Sequence, residues 1–196
     1  MTALKLGPRQ AGEVERNRSL TRSATMPALD RYTGVLYDAL DAATLSPAAR
    51  ERARGTVLIQ SALLGPVDAL DLIPAYRLSS DSRLPGLPLK AHWASAVSAA
   101  FAARDDLILD LRSEAYAALG PAPSRDGSFF VRVVTRGSDG ATRALNHFNK
   151  KAKGEFVRAL LTSEQTPADE GELFDWAGRH GMSVNRATAG ILELTV

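Results

Sequence analysis

The chain has no cysteine, and only three histidines and two tryptophans among 196 residues. Without cysteine there is no disulfide framework, no thiol nucleophile and no thiolate-held zinc or iron–sulfur cluster. Such a chain suits a reducing compartment, and the cytoplasm is the expected location. His92, His147 and His180 lie far apart, and none has a second ligand at the spacing that shares a helix or strand face, so no metal site is expected. No apolar run approaches the roughly 18–20 residues of a membrane span. Met1–Leu20 is polar with scattered arginines and lacks the apolar centre of a secretory signal. Walker, dinucleotide-binding and Gly-x-Ser-x-Gly patterns are missing, and neither Ser61 nor Ser113 has a recognisable base beside it. No catalytic residue and no cofactor is therefore expected.

What is present is an ordinary globular composition, with 45% hydrophobic and 23% charged residues and a formal net charge of +2. The length fits one domain over 1–196. Helices and strands alternate irregularly, which predicts a mixed α/β (α+β) fold, a mixed sheet packed by helices. Gln10–Leu20 reads as a helix with little apolar face. Ala28–Leu40 has apolar residues at helical spacing, with Gly34 marking a break or a close contact. Ser46-Pro47 opens a helix that Gly55 ends. Thr56–Leu64 reads as a strand buried on both faces.

The stretch Ser61–Leu78 is the most legible. Gly65-Pro66 breaks the strand, Asp68 and Asp71 are expected on one face of a helical turn, and Tyr76-Arg77-Leu78 resumes an extended chain. Leu89–Ala103 is an alanine-rich helix, Asp106–Leu111 a short strand, and Arg112–Tyr116 follows at its C-terminal end. Phe129–Thr135 alternates as a strand, Gly137–Gly140 reads as a hairpin turn and Ala141–Phe148 as the returning strand. A helix opens at Asn149 and runs to about Thr162. Pro167–Gly178 reads as an acidic helix, and Met182–Val196 as a hairpin turning near Gly190.

Two groups of side chains could carry chemistry. Asp71, Asp110 and Glu114 flank strand ends and could converge with Arg77 and Tyr116, the raw material for acid–base work. From Arg125 to Arg158 there are eight basic residues against three acids. Within that run Lys150, Lys151 and Lys153 crowd a helix N-terminus, where the backbone dipole is already positive. An anion relieves that crowding, and phosphate is the natural one, on a nucleic-acid backbone or on a small molecule.

Several motifs occur in a fixed order. They are Tyr32-Thr-Gly34 with Tyr37, Ser61-Ala-Leu-Leu-Gly65, Leu70-Asp71-Leu72 before Tyr76-Arg77-Leu78, Trp93, Asp110-Leu-Arg-Ser113 with Tyr116, and Lys150-Lys-Ala-Lys-Gly154 with Arg158. In this order and spacing the chain resembles the YaaA family of peroxide-stress proteins. The resemblance implies a cytoplasmic α/β protein with a helix-hairpin-helix element, which contacts DNA and helps limit oxidative damage driven by free iron. It implies no defined reaction. Carried onto this sequence, Arg77, Lys150, Lys151, Lys153 and Arg158 are the expected DNA or phosphate contacts. Tyr32, Ser61, Asp71, Tyr76, Ser113 and Tyr116 are the expected cleft-lining residues. Ser79 and Ala115 stand where the family pattern has glutamate, and the chain is expected to lack the family's opening strand and Ser-Pro-Ala-Lys-type loop, opening inside the helical region that follows them. A second reading stays open: an enzyme acting on a phosphate-bearing small molecule in a cleft lined by Asp71, Arg77, Ser113 and Lys150.

Overall fold

A computed structural model describes residues 2–136, 142–144 and 147–196. In chain order its regular elements are α1 (Ala11–Arg18), β1 (Thr25–Pro27), α2 (Ala28–Arg31), α3 (Val35–Leu40), α4 (Pro47–Ala53), β2 (Leu58–Ser61), β3 (Gly65–Asp68) and β4 (Leu72–Pro74). There follow α5 (Leu89–Ala102), β5 (Ile108–Asp110), α6 (Glu114–Ala117), β6 (Ser128–Arg136), β7 (Thr142–Ala144), α7 (His147–Thr162), α8 (Glu170–Arg179), β8 (Ser183–Thr188) and β9 (Ile191–Thr195). The fold is α/β with mixed sheets, as the residue pattern predicts. The chain divides into two compact units, the first made of Met1–Tyr32, Arg52–Ala103 and Arg112–Pro121, the second of Thr33–Glu51, Arg104–Leu111 and Ala122–Val196. Among the described residues no helix is long and apolar enough to cross a membrane.

The first unit is built on two small antiparallel ribbons, β1 with β4 and β2 with β3. Its strands depart from expectation in two places. The strand expected over Thr56–Leu64 ends at Ser61, because Ala62–Leu64 turn back into β3 with Ser61 opposite Gly65. Only alternate residues of β2, Ile59 and Ser61, are then buried, not both faces. Gly65 sits at φ +78, and a Cβ there would lie 2.9 Å from the Trp93 ring, so both backbone and space demand glycine. Nor do Asp68 and Asp71 share a helical turn. Asp71 accepts the Asp68 N–H at 2.8 Å and Asp68 accepts the Leu70 N–H at 2.8 Å. Carboxylates that hold backbone N–H groups favour a turn over a helix, and Asp68 instead closes β3.

Helix α1 buries none of its residues, as its thin apolar pattern requires. A polar clamp holds it. Asn17 Nδ2 donates to the Arg77 carbonyl at 2.8 Å, and the Arg77 N–H donates to Asn17 Oδ1 at 2.7 Å. The carboxamide thus pairs with the backbone as a neighbouring strand would. Lys5 adds an ion pair to Asp81 at 2.8 Å, and the Arg83 N–H donates to the Ala3 carbonyl at 2.7 Å. Lys5 and Ser79 together hold the Asp81 carboxyl down to about 2. Asn17→Ala is expected to release α1 and leave Arg77's backbone to solvent, at a cost of about 1–2 kcal/mol. Amide hydrogen exchange at Arg77 checks this; unchanged protection there would contradict it.

In the second unit a mixed sheet runs in the order β5-β6-β9-β8, with β7 pairing with the far end of β6. β6 is parallel to both β5 and β9, while β8 and β9 form the expected C-terminal hairpin. The alternation in β6 puts Phe129, Val131 and Val133 on one face, where they form the core with Leu192 and Leu194, Ala152 and Phe156 of α7, and Leu173 and Trp176 of α8. Helix α8 is opened by Asp169, whose side chain accepts the Glu172 N–H at 2.9 Å, while Glu172 accepts the Ala168 N–H at 2.9 Å.

The expected break at Gly34 occurs: Gly34 takes φ +104 and separates α2 from α3. Of the strand expected over Ala141–Phe148, the described residues Thr142–Ala144 pair with β6, while His147 and Phe148 belong instead to α7. The hairpin turn expected at Gly137–Gly140 lies outside the described residues.

Candidate functional site

The first unit gathers most of the tyrosine, serine and arginine residues that the motifs single out. Ser61 is fully buried at the end of β2, and its hydroxyl oxygen accepts the N–H groups of Leu63 at 3.1 Å and Leu64 at 2.9 Å. These two bonds use both acceptor sites of a serine oxygen, so its proton goes to its third neighbour, the Tyr76 hydroxyl at 2.6 Å. Tyr76 accepts from Ser61 and therefore donates onward to the Tyr32 hydroxyl, also at 2.6 Å. The result is a chain with one direction, Ser61 to Tyr76 to Tyr32. The Tyr32 and Tyr76 rings meet edge to face, with centroids 6.2 Å apart.

Burial is the largest influence on Tyr76 and pushes its phenol well above its ordinary range; the charges of Tyr32 and Tyr116 add to the rise, and the Ser61 bond opposes it. Tyr116 is raised in the same way, first by burial, against the opposing Ser80 backbone N–H and the nearby Arg77 guanidinium. Three phenols therefore lie within electrostatic reach of one another, with the Arg77 guanidinium in reach of Tyr116, and Tyr76 and Tyr116 stay protonated throughout the physiological range. Arg77 is exposed, and among the described residues no carboxylate pairs with it. Its backbone is fixed on both sides by Asn17.

The remaining cleft candidates have supporting places in the same unit. Ser113 caps α6, accepting the Tyr116 N–H, and so orients the helix that carries Tyr116. Asp71 is exposed, with its carboxylate on the Asp68 N–H. Glu114 is exposed on α6, whereas Asp110 belongs to the second unit and is 8% exposed. Among the described residues there is no group of three or more His, Asp and Glu that could hold a metal.

The second unit carries the lysine group on α7. Because α7 starts at His147, only Lys150 lies in its first turn, which corrects the picture of three lysines crowding the N-terminus. Lys150 and Lys151 are exposed, and Lys151 pairs with Glu155 at 3.3 Å. Lys153 is 5% exposed, with its ammonium 5.3 Å from the centre of the Phe130 ring. Arg158 is also engaged inside the unit. It donates to the carbonyls of Leu40 at 2.8 Å and Asp41 at 2.9 Å and to the Thr44 hydroxyl at 2.9 Å, closing the C-terminal end of α3. Gly154 explains the rest of that motif: a Cβ there would lie 2.1 Å from the Leu36 carbonyl oxygen, so glycine lets α3 and α7 touch backbone to backbone.

Sequence reasoning missed Asn17, Ser80 and Asp81. The one available signal was an asparagine on a helix with no apolar face to bury.

An α/β protein with a hydrogen-bonded tyrosine–serine chain, a fixed exposed arginine and a lysine-bearing helix is the class that these observations define. The chain belongs to the peroxide stress protein YaaA family, whose model matches residues 1–180. It is similar to the UPF0246 protein of Corynebacterium efficiens, 45% identical over 177 residues, or 88% of this chain and 69% of that one. The UPF0246 protein of Corynebacterium glutamicum strain R is 43% identical over the same shares, and that of Streptomyces coelicolor 44% identical over 84% of this chain and 64% of that one.

Proposed function

We propose that this protein acts in the cytoplasm during peroxide stress by contacting duplex DNA through its phosphates, and so helps limit the damage that free iron drives there. The observation that carries this reading is the pair of exposed lysines, Lys150 and Lys151, on a helix with no acid in its first turn. Helix α7 is held firmly against α3 by the Gly154 contact, so the lysines are presented from a rigid element. Exposed Arg77 supplies a further cation in the first unit. Phosphate contacts of this kind carry no sequence information, so any duplex suffices. Replacing Lys150 and Lys151 together by alanine is expected to reduce the slope of log affinity against log salt by about 2, one for each contact. An unchanged slope in the double variant would remove these residues from the interface.

A second reading is favoured by one particular feature, the clamp on Arg77. An arginine whose main chain is held by Asn17, and whose exposed guanidinium is felt by the Tyr116 phenol, suits a small phosphate-bearing molecule. Isothermal titration with inorganic phosphate tests it. Binding that is lost in Arg77→Ala but kept in the double lysine variant would favour the small ligand.

A further inference from the structure

We propose that the hydrogen-bonded pair Tyr32 and Tyr76 is a two-station trap for one-electron oxidation, giving up a hydrogen atom to an oxygen-centred radical and holding the unpaired electron that results. This goes beyond binding and does not depend on whether DNA or a small phosphate is bound. A chain with no cysteine lacks the usual protein reductant, and phenols are among the next most readily oxidised side chains available.

The chemistry follows from the direction of the hydrogen bonds. A hydroxyl or peroxyl radical removes the hydrogen atom of the Tyr32 hydroxyl; the attacking radical becomes water or a hydroperoxide, and Tyr32 becomes a phenoxyl radical. The Tyr76 O–H already points at that oxygen across 2.6 Å. Its hydrogen atom crosses to Tyr32, restoring the Tyr32 phenol and leaving the unpaired electron on Tyr76. Because both partners are phenols, one O–H bond breaks as an equivalent one forms, and the Ser61 hydrogen bond to the Tyr76 oxygen tilts the exchange toward Tyr76. It stops at Tyr76, because the next donor is Ser61, an aliphatic alcohol whose O–H bond is much stronger than a phenol's. Tyr76 is half-buried and its oxygen receives the Ser61 hydrogen bond, so the radical is kept from diffusing partners. Burial keeps the Tyr76 phenol protonated, so its oxidation proceeds by loss of electron and proton together.

The test is one-electron oxidation of the whole chain with azide radical, followed by electron paramagnetic resonance of rapidly frozen samples. The wild type is expected to give a tyrosyl radical that outlives that of Tyr76→Phe about tenfold, the rate factor that goes with removing roughly one hydrogen bond from the barrier. Tyr37→Phe, which alters a tyrosine of the second unit, is expected to match the wild type. Equal lifetimes in the wild type and Tyr76→Phe would overturn the proposal. A second measurement needs no variant: the wild-type radical is expected to show a coupling to an exchangeable proton that vanishes in deuterated water. Its absence would also overturn the proposal.

Discussion

Gly154→Ala is expected to lower stability by about 3 kcal/mol and the melting temperature by roughly 10 °C. The added Cβ would stand 2.1 Å from the Leu36 carbonyl oxygen and 2.9 Å from the Ala39 Cβ. A backbone carbonyl cannot rotate away as a side chain can, so α3 and α7 must separate along their whole contact. Alanine's better helix propensity returns only about 1 kcal/mol and does not offset this. Gly178 provides the opposite case: it lies in α8 with nothing within 4 Å of the place a Cβ would take, so Gly178→Ala is expected to stabilise by up to about 1 kcal/mol. Thermal unfolding of the two variants followed by circular dichroism checks the pair. Equal melting temperatures would mean that α3 and α7 approach each other less closely than a backbone contact requires.

Ser61→Ala is expected to cost about 2–3 kcal/mol, an effect large for the loss of one oxygen. That oxygen accepts the N–H groups of Leu63 and Leu64 and donates to Tyr76, so three groups lose a partner at once. The hairpin turn between β2 and β3 should loosen with it, because those two N–H bonds define the turn. The interaction with Tyr76 can be isolated by a double-mutant cycle with Tyr76→Phe, with a coupling of about 1 kcal/mol expected in denaturant unfolding. Strictly additive losses would show that Ser61 and Tyr76 do not act as one chain.

Gly154 and Ser61 also show what could be read from the sequence and what could not. The elements of the second unit were legible because alternation in β6 and helical spacing in α7 are properties of single segments. Gly154 was visible as part of a motif, but its reason is a contact with α3, more than a hundred positions earlier in the chain. Ser61 and Tyr76 were both recognised as candidates, yet the direction of their hydrogen bond depends on the two N–H groups that fill Ser61's acceptors. No local pattern holds that information. Asp68 and Asp71 misled for the opposite reason: their spacing fits a helical turn, but their carboxylates capture backbone N–H groups and close a ribbon. The charge count over Arg125–Arg158 likewise treated Lys153 and Arg158 as surface cations, whereas one is buried over Phe130 and the other ties down the end of α3.

Placement of those charges leaves Lys150, Lys151 and Arg77 as the exposed members of the expected phosphate contacts, and it is on them that the account of function rests. Fluorescence anisotropy of a labelled duplex titrated with the wild-type chain, repeated over a series of salt concentrations, tests it most directly. The expected result is binding to duplexes of unrelated sequence, with log affinity falling linearly in log salt by about 0.9 per phosphate contacted. Absence of binding at low salt, or binding indifferent to salt, would contradict it.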